Sequence, residues 1–248
     1  MRPLAKSIKS AETRAREASR QLYFELASGA SGLVLALFMW GHMVLVGSIL
    51  TGERGFNWLA GMLEDYYIAQ PTVLFIFVLF LVHAVLAGRK IPAQLAERRQ
   101  MIKLGRGLKA SSGFDPHVES LLWIWQVHTG MVILVLGSFH LILLGMDTLT
   151  PLFGERPGIE AITSIARVRA GLWLPYAVLL VCVEFHAGVG LYRLAIKWTS
   201  GAFLTRKTLR ILEHILLWFF LGLGVVVLLV LARVLTPPLA FLLAGSAA

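Results

Sequence analysis

The sequence predicts an all-α membrane protein with five transmembrane helices. Of its 248 residues, 57% are hydrophobic and only 15% are charged, which lies far outside the range of soluble domains. Five apolar stretches each approach the length of about 20 residues that crosses a bilayer as a helix. The basic residues gather beside these stretches, as they do in proteins with several membrane spans. A soluble hydrophobic core is therefore excluded.

The predicted spans are residues 29–50, 71–88, 121–145, 171–196 and 211–233. Pro71 and Pro175 stand near the starts of the second and fourth spans, where proline suits the first turn of a helix. We therefore expect three regions. These are a cytoplasmic N-terminal segment, a helix bundle and an outer-side C-terminal tail, at residues 1–28, 29–234 and 235–248. The first segment lacks the short apolar core of a secretory signal peptide.

Lysine and arginine residues predict the orientation in the membrane. With the N-terminus inside, the three inner segments hold six, seven and five of them, which is 18 of the 23 in the chain. This asymmetry places the N-terminus in the cytoplasm and the C-terminus on the outer side. The basic inner loop 89–120 is then the expected docking surface for a cytoplasmic partner. Because the positive charges flank apolar spans, the net charge of +9 does not indicate a nucleic-acid partner.

Four of the five spans carry a histidine at depth. By the rise of a helix, His83 and His186 share a depth near the inner boundary, whereas His42 and His140 share a depth near the outer boundary. A six-coordinate b-type haem needs one imidazole on each face of its iron. The spacing therefore predicts two stacked b-type haems within a bundle of four helices, one held by each pair.

The other histidines and the single cysteine are interpreted differently. His128 lies 12 residues before His140 and so about 120° away around the helix, which leaves both packing and contact with the edge of the inner haem open. His117 falls in the inner loop and His214 begins the last span. Cys182 is the only cysteine, which excludes cysteine-bound clusters and c-type haem attachment, and we expect it to pack in the core.

The sequence around these histidines resembles the di-haem cytochrome b subunit of quinol:fumarate reductases and succinate:menaquinone reductases. The segments that carry the resemblance are GLVLALFMWGHM, HAVLAGRKIP, LLWIWQVHTGMVILVLGSFHLILL and VEFHAGVGLYRLAIKW. It covers residues 25–200 and weakens in the fifth span. The resemblance implies a multi-pass protein of the bacterial cytoplasmic membrane, with a proximal and a distal haem bound by the four histidines.

The resemblance also implies roles for seven further residues. A glutamate between the first two spans serves menaquinol oxidation in that family, and the match here is Glu64, with Asp65 as a substitute because the loop is shorter. Residues that match the family's haem propionate region are Ser28, Ser31, Trp123 and Lys197. A glutamate that matches Glu184 is assigned to a transmembrane proton path.

By this resemblance the chain is the electron-conducting anchor of a respiratory complex. It would oxidise menaquinol and pass electrons to an iron–sulfur subunit and a flavoprotein subunit on the cytoplasmic side, within a complex whose dimerisation is left open. The fumarate chemistry lies elsewhere, since the chain has no dinucleotide motif. Two alternatives stay open at this point: the di-haem anchor of a hydrogenase or nitrate reductase, and a haem-free transporter with histidines as proton relays.

Overall fold

A computed structural model describes residues 2–89, 91–92, 96, 99–100, 103, 118–154, 158–199 and 205–244. Within these ranges the chain forms helices and turns only, so the predicted all-α class is confirmed. Most of the inner loop 89–120, where we expect a partner to dock, lies outside the described residues.

The first helix, α1, runs without a break from Arg2 to Gly47 and ends in a 3₁₀ turn, Ser48–Thr51. The predicted boundary at residue 28 therefore falls inside one continuous helix. At 1.5 Å per residue, the polar part before this position extends the first span by roughly 40 Å. The N-terminal segment and the first span accordingly share one helix axis.

A short amphipathic helix, α2 (Glu53–Asp65), separates the first span from the second, α3 (Ala69–Gly88). The third span, α4, comprises Val118–Leu149. Helix α1 packs against α3, and the third span packs against the fourth. Large apolar side chains of α3 and α4 are exposed on the protein surface, as expected of helices that face lipid rather than water.

The fourth span begins ten residues earlier than predicted. A short helix, α5 (Ala161–Arg167), leads through a wide turn at Val168–Leu172 into α6 (Trp173–Thr199). The turn bends at Gly171, whose φ of 99° is a left-handed conformation that glycine adopts readily and other residues rarely do. Pro175 follows in the first turn of α6, where its missing N–H leaves no helical hydrogen bond unmade.

The fifth span, α7 (Arg206–Leu231), starts at Thr205, whose hydroxyl accepts a hydrogen bond from the Thr208 backbone at 3.2 Å and so caps the helix. It packs against α6 and α1. After α7, the chain folds back over the 3₁₀ turn, where the Leu239 N–H donates to the Leu50 carbonyl, and closes with a short helix, α8 (Phe241–Ala244).

Tight apolar packing is concentrated at one end of the bundle. The buried residues there come from the 3₁₀ turn, α2, α5 and the end of α7, and include Ile49, Phe56, Ile165 and Val227. Following the predicted topology, we call this the outer end, and we call the end that carries Lys197 and Arg206 the inner end. Among the described residues, five helices are long and apolar enough to cross a membrane, which confirms the predicted multi-pass membrane protein.

Candidate dihistidine sites in the helix bundle

A cavity of about 960 Å³ runs through the bundle between α1, α3, α4 and α6. All four predicted ligand histidines line it, together with Glu64 and Arg167 towards the outer end and Lys197 at the inner end. Most of the lining is apolar. One continuous space therefore connects the two ends of the bundle and passes both depths at which the histidines lie.

The histidines meet in two pairs. The ring centres of His83 and His186 are 6.5 Å apart with their planes at 89°, and those of His42 and His140 are 6.3 Å apart at 64°. The pairs that face each other are the ones that the depths in the sequence predict. That these histidines ligate haem stays a prediction.

The inner ring of His83 is held by Ser31 of α1. The Ser31 hydroxyl lies 3.1 Å from the Ser28 carbonyl, to which it can only donate, and 3.0 Å from Nδ1 of His83. Because a hydroxyl has one proton, its oxygen must accept from Nδ1–H of His83. Nε2 is then the unprotonated nitrogen with a lone pair available for a metal.

The opposite ring, His186, is held in the same tautomer by α4. Its Nδ1 lies 2.9 Å from the backbone carbonyl of Gln126, and a carbonyl can only accept. Nδ1 therefore carries the proton and Nε2 is free. A second hydrogen bond from a ligand histidine to a carbonyl or hydroxyl is what fixes ring orientation in known metal sites.

The outer pair is surrounded mainly by aromatic rings. His42 stacks on Phe38 with ring centres 5.8 Å apart, and His140 meets the edge of Tyr176 at 5.4 Å. Nδ1 of His140 is buried and has no hydrogen-bond partner among the described residues. A buried nitrogen without a partner is unusual and indicates a group that the protein atoms alone do not satisfy.

The separation of the rings fits a metal ion between them. An imidazole nitrogen lies about 2 Å from a bound transition metal, and the ring centre lies roughly 1 Å behind that nitrogen. Rings on opposite sides of one metal ion thus have centres about 6 Å apart. Both pairs meet this condition inside an apolar cavity, which is the environment that a b-type haem requires.

An ion pair is buried beside the outer histidines. Nη1 of Arg167 lies 2.8 Å from Oδ2 of Asp147, and the side chains are only 5% and 0% exposed. Ser164 accepts a further hydrogen bond from Arg167 at 2.9 Å, and the Phe153 N–H donates to Asp147. Both Arg167 and Ser164 line the cavity, so a buried and internally balanced ion pair stands at its outer part.

The residues matched to the propionate region lie at the inner end. Ser28, the buried Trp123 and Lys197 line the cavity there, whereas the Ser31 hydroxyl is used by His83. Lys197 forms an ion pair with Glu25 of α1. The inner mouth therefore presents a cation, a hydroxyl and an indole, which are groups suited to hold a carboxylate.

The two predicted quinol-site acids differ in position. Both lie at the end of α2 and are exposed, but only Glu64 lines the cavity. Asp65 comes one residue later, about 100° further around the helix. Of the two, Glu64 is the carboxylate that a molecule inside the outer part of the cavity could reach.

Glu184 is deeply buried on α6, with 2% of its surface exposed. Its Oε1 has no hydrogen-bond partner among the described residues, and the Trp40 indole of α1 lies near the carboxylate. Trp40 in turn stacks flat on Phe220 of α7 at 5.3 Å. Glu184 thus lies where α1, α6 and α7 meet, at the edge of the cavity and away from the ring of His186.

Of the remaining histidines, the two that the structure describes, His128 and His214, do not line the cavity. His128 is exposed on the outside of α4 and its Nδ1 pairs with the Ile124 carbonyl at 2.7 Å, while Nδ1 of the exposed His214 pairs with the Arg210 carbonyl at 2.8 Å. His128 therefore has no contact with the cavity in which the inner haem is predicted. Cys182 is half-buried on α6. His117 lies outside the described residues.

Sequence reasoning missed several residues of this site. As a basic residue between the third and fourth spans, Arg167 would be expected on the surface. It is buried, because Asp147 balances its charge and Ser164 accepts a hydrogen bond from it. The sequence indicates this buried pair only weakly, since Asp147 stands at the end of the third span and Arg167 stands before the fourth. Gln126 and Glu25 gave no signal, since their partners are distant in the chain.

Two facing histidine pairs inside a five-helix membrane bundle define a class of protein: an integral membrane protein whose bundle brings four histidines together in two pairs along one cavity. No protein-family model matches the chain. Several known proteins, however, are similar to it in sequence. The fumarate reductase cytochrome b subunit of Wolinella succinogenes is 35% identical over 210 residues, which cover 79% of this chain and 75% of the relative.

The proteins of the same name from two strains of Helicobacter pylori, 26695 and J99, are 31% and 30% identical over 208 residues, which cover 81% of this chain and 76% of each relative. The chain therefore belongs to the family of fumarate reductase cytochrome b subunits.

Proposed function

We propose that this chain is the membrane anchor and electron conduit of a quinol:fumarate reductase that oxidises menaquinol near the outer side of the membrane. The observation that carries the proposal is the presence of two facing histidine pairs in one cavity that connects both ends of the bundle. The family supports the same conclusion, because its relatives are named as cytochrome b subunits of fumarate reductase.

The four histidines would hold two b-type haems, His83 and His186 the inner one and His42 and His140 the outer one. A haem bound between two imidazoles takes up and gives up single electrons. The chain's contribution is to supply free Nε2 lone pairs at two depths and to keep water away with an apolar lining. Ser28, Trp123 and Lys197 would bind propionates at the inner end, and the Arg167–Asp147 ion pair lies near the outer pair.

Menaquinol would bind at the outer part of the cavity, beside Glu64. As a carboxylate at the cavity wall, Glu64 can accept a proton from a quinol hydroxyl and pass it to the outer solvent, to which it is exposed. Arg167 also lines the cavity, but its charge is balanced by Asp147, so Glu64 is the proposed proton acceptor. Asp65 would take over only if the end of α2 rotated.

Glu184 would take part in proton movement across the membrane. Moving electrons inward from the outer side against an inside-negative potential costs about 2.3 kcal/mol per charge per 100 mV. Protons that move inward with the electrons would cancel this cost. Glu184 is suited to the role because it is buried and one of its oxygens has no hydrogen-bond partner within the part of the chain that the structure describes.

The partners would be an iron–sulfur subunit and a flavoprotein subunit on the cytoplasmic side. We propose that they dock at the inner end, to which the first 28 residues and the inner loop 89–120 belong, with the N-terminus cytoplasmic and the C-terminus periplasmic. The inner histidine pair is the one closer to that end, which makes it the expected exit for electrons.

The proposal is tested on the native complex, purified with its partner subunits. We expect two haems per copy of this chain, with both reduced by menaquinol. Glu64→Gln should keep both haem spectra and abolish their reduction by menaquinol, because the amide cannot accept the proton. Asp65→Asn is the matched control and should leave the reduction unchanged.

Two results would overturn parts of this proposal. A complex without haem, or without soluble redox partners, would refute the conduit function and favour a transporter. Full menaquinol oxidation in the double variant Glu64→Gln, Asp65→Asn would remove the quinol-site assignment while leaving the haem ligands in place.

A further inference from the structure

We propose that Gly32 and Gly130 are positioning residues, which together with Ser31 and Gln126 fix the ring planes of the two inner histidines. Each inner histidine is held by one neighbouring helix, which supplies an acceptor for Nδ1 and a glycine against Cε1. We call these arrangements the α1 clamp (Ser31 and Gly32) and the α4 clamp (Gln126 and Gly130). The inference deepens the proposed function, since it rests on haem ligation by His83 and His186.

The glycines touch the rings directly. A Cβ atom on Gly32 would lie 2.9 Å from Cε1 and 3.5 Å from Nδ1 of His83. A Cβ atom on Gly130 would lie 2.8 Å from Cε1 and 3.2 Å from Nδ1 of His186. Separations below 3 Å are too short for carbon atoms in van der Waals contact, whose optimum is about 3.5–4.0 Å. A side chain on Gly32 or Gly130 would therefore collide with the histidine ring next to it.

The hydrogen bonds and the glycines act on the same edge of each ring. Nδ1 and Cε1 are adjacent ring atoms, so an acceptor at one and a backbone surface at the other prevent the ring from turning about its Cβ–Cγ bond. On α1 the two clamp residues are consecutive, and on α4 they are one helical turn apart. The two clamps come from different helices, yet both leave Nε2 as the unprotonated ring nitrogen.

The clamps explain why the inner rings stand at 89° to each other. When the two axial imidazole planes of a low-spin ferric haem are perpendicular, two iron d orbitals have nearly equal energy and the electron paramagnetic resonance signal is highly anisotropic. Rotation of one ring separates these orbitals and lowers the largest g value. The ring angle thus has a spectroscopic signature that a general loss of stability would not produce.

The experiment compares four variants of the purified native complex: Gly32→Ala, Gly130→Ala, Gly41→Ala and Gly222→Ala. An added methyl group on Gly41 or Gly222 meets no atom within 4 Å, so these two are matched controls on α1 and α7. We expect Gly32→Ala and Gly130→Ala to lower the largest g value of the inner haem, or to reduce the haem content from two per chain to one. The outer signal should stay, and the controls should match the wild type.

Ser31 gives a second test that introduces no additional bulk. Ser31→Ala removes the acceptor for Nδ1 and should lower the affinity for the inner haem about 10- to 100-fold, as for other partners of metal-bound histidines. Ser31→Thr keeps the hydroxyl and should restore the wild-type signal. Rescue by threonine separates an effect on ring orientation from an effect on helix packing.

The outcomes distinguish the inference from the proposed function. If His83→Ala leaves both haems bound, the ligation itself is wrong. If His83→Ala removes the inner haem but both clamp glycines behave like Gly41 and Gly222, the clamps are overturned and the ligation stands. Equal changes in the inner and outer signals of Gly32→Ala would also overturn the inference, because the clamps touch only the inner pair.

Discussion

The inner and outer histidine pairs have nearly the same ring separation but are held by different forces. At the inner pair, each Nδ1 donates a hydrogen bond at 2.9 or 3.0 Å to an acceptor on the neighbouring helix. At the outer pair, the rings contact Phe38 and Tyr176, and Nδ1 of His140 has no partner among the described residues. Hydrogen bonds specify a tautomer and a ring plane, whereas aromatic contacts specify mainly a position.

One helix bundle thus holds two imidazole pairs whose rings are fixed to different degrees. The outer pair lies beside a buried ion pair, Arg167–Asp147, which supplies charge where the inner pair has directed hydrogen bonds. The electrostatic surroundings of the two pairs are therefore separate, and each can be changed without touching the other. Three predictions follow this contrast from the largest effect to the smallest.

Loss of a ligand should have the largest effect, and it should be confined to one pair. His83→Ala should remove the inner haem and keep most of the outer signal, while His42→Ala should do the reverse, because the rings of different pairs share no contact. Difference spectra and redox titration of the purified complex measure both. If every single substitution reduced the two signals equally, the histidines would support folding rather than two separate sites.

Breaking the buried ion pair should lower stability and affect the outer pair. Arg167→Met leaves Asp147 buried without its cation, and the loss of one partner of a buried pair costs about 3–5 kcal/mol. We expect earlier thermal unfolding of the complex and weakened binding at the outer pair.

The double variant Arg167→Met, Asp147→Leu removes both charges and should recover much of the stability. A single Arg167→Met variant that unfolds at the wild-type temperature would show that the pair is not buried in the membrane.

Glu184 belongs to neither pair by contact, and its substitution should have the smallest effect on the haems. Glu184→Gln is close in shape and should keep both haem spectra and the assembly. It should slow menaquinol-driven fumarate reduction, while artificial donors to the soluble subunits still work.

Proteoliposomes provide the measurement, because they report turnover and membrane potential together. Normal menaquinol turnover in the Glu184→Gln variant would exclude a proton role. Wild-type turnover that builds a membrane potential would exclude it as well.

Much of the architecture could be predicted because its signals are local. The five spans follow from runs of apolar residues, and the depths of His83 and His186 follow from the helix rise and the nearest basic residue. The helical nature of residues 161–170 could not be predicted in this way, because this stretch is too polar to appear as a membrane span. The positive charge of Arg167 in this stretch is paired with Asp147 of α4. The start of the stretch is fixed by Asn57, whose side chain accepts a hydrogen bond from the Ala161 N–H at 2.8 Å.

By itself, the sequence determined that this chain is a five-span membrane protein with histidines at two depths. Hydropathy and helical periodicity are properties of neighbouring residues and need no tertiary contact. Only the tertiary structure decided what holds each ring, which includes Ser31 on His83, the Gln126 carbonyl on His186 and the glycines against both. Such contacts join residues 50 to 60 positions apart, as Ser31 and His83 are, and they arise only when helix packing brings separate surfaces within hydrogen-bonding distance.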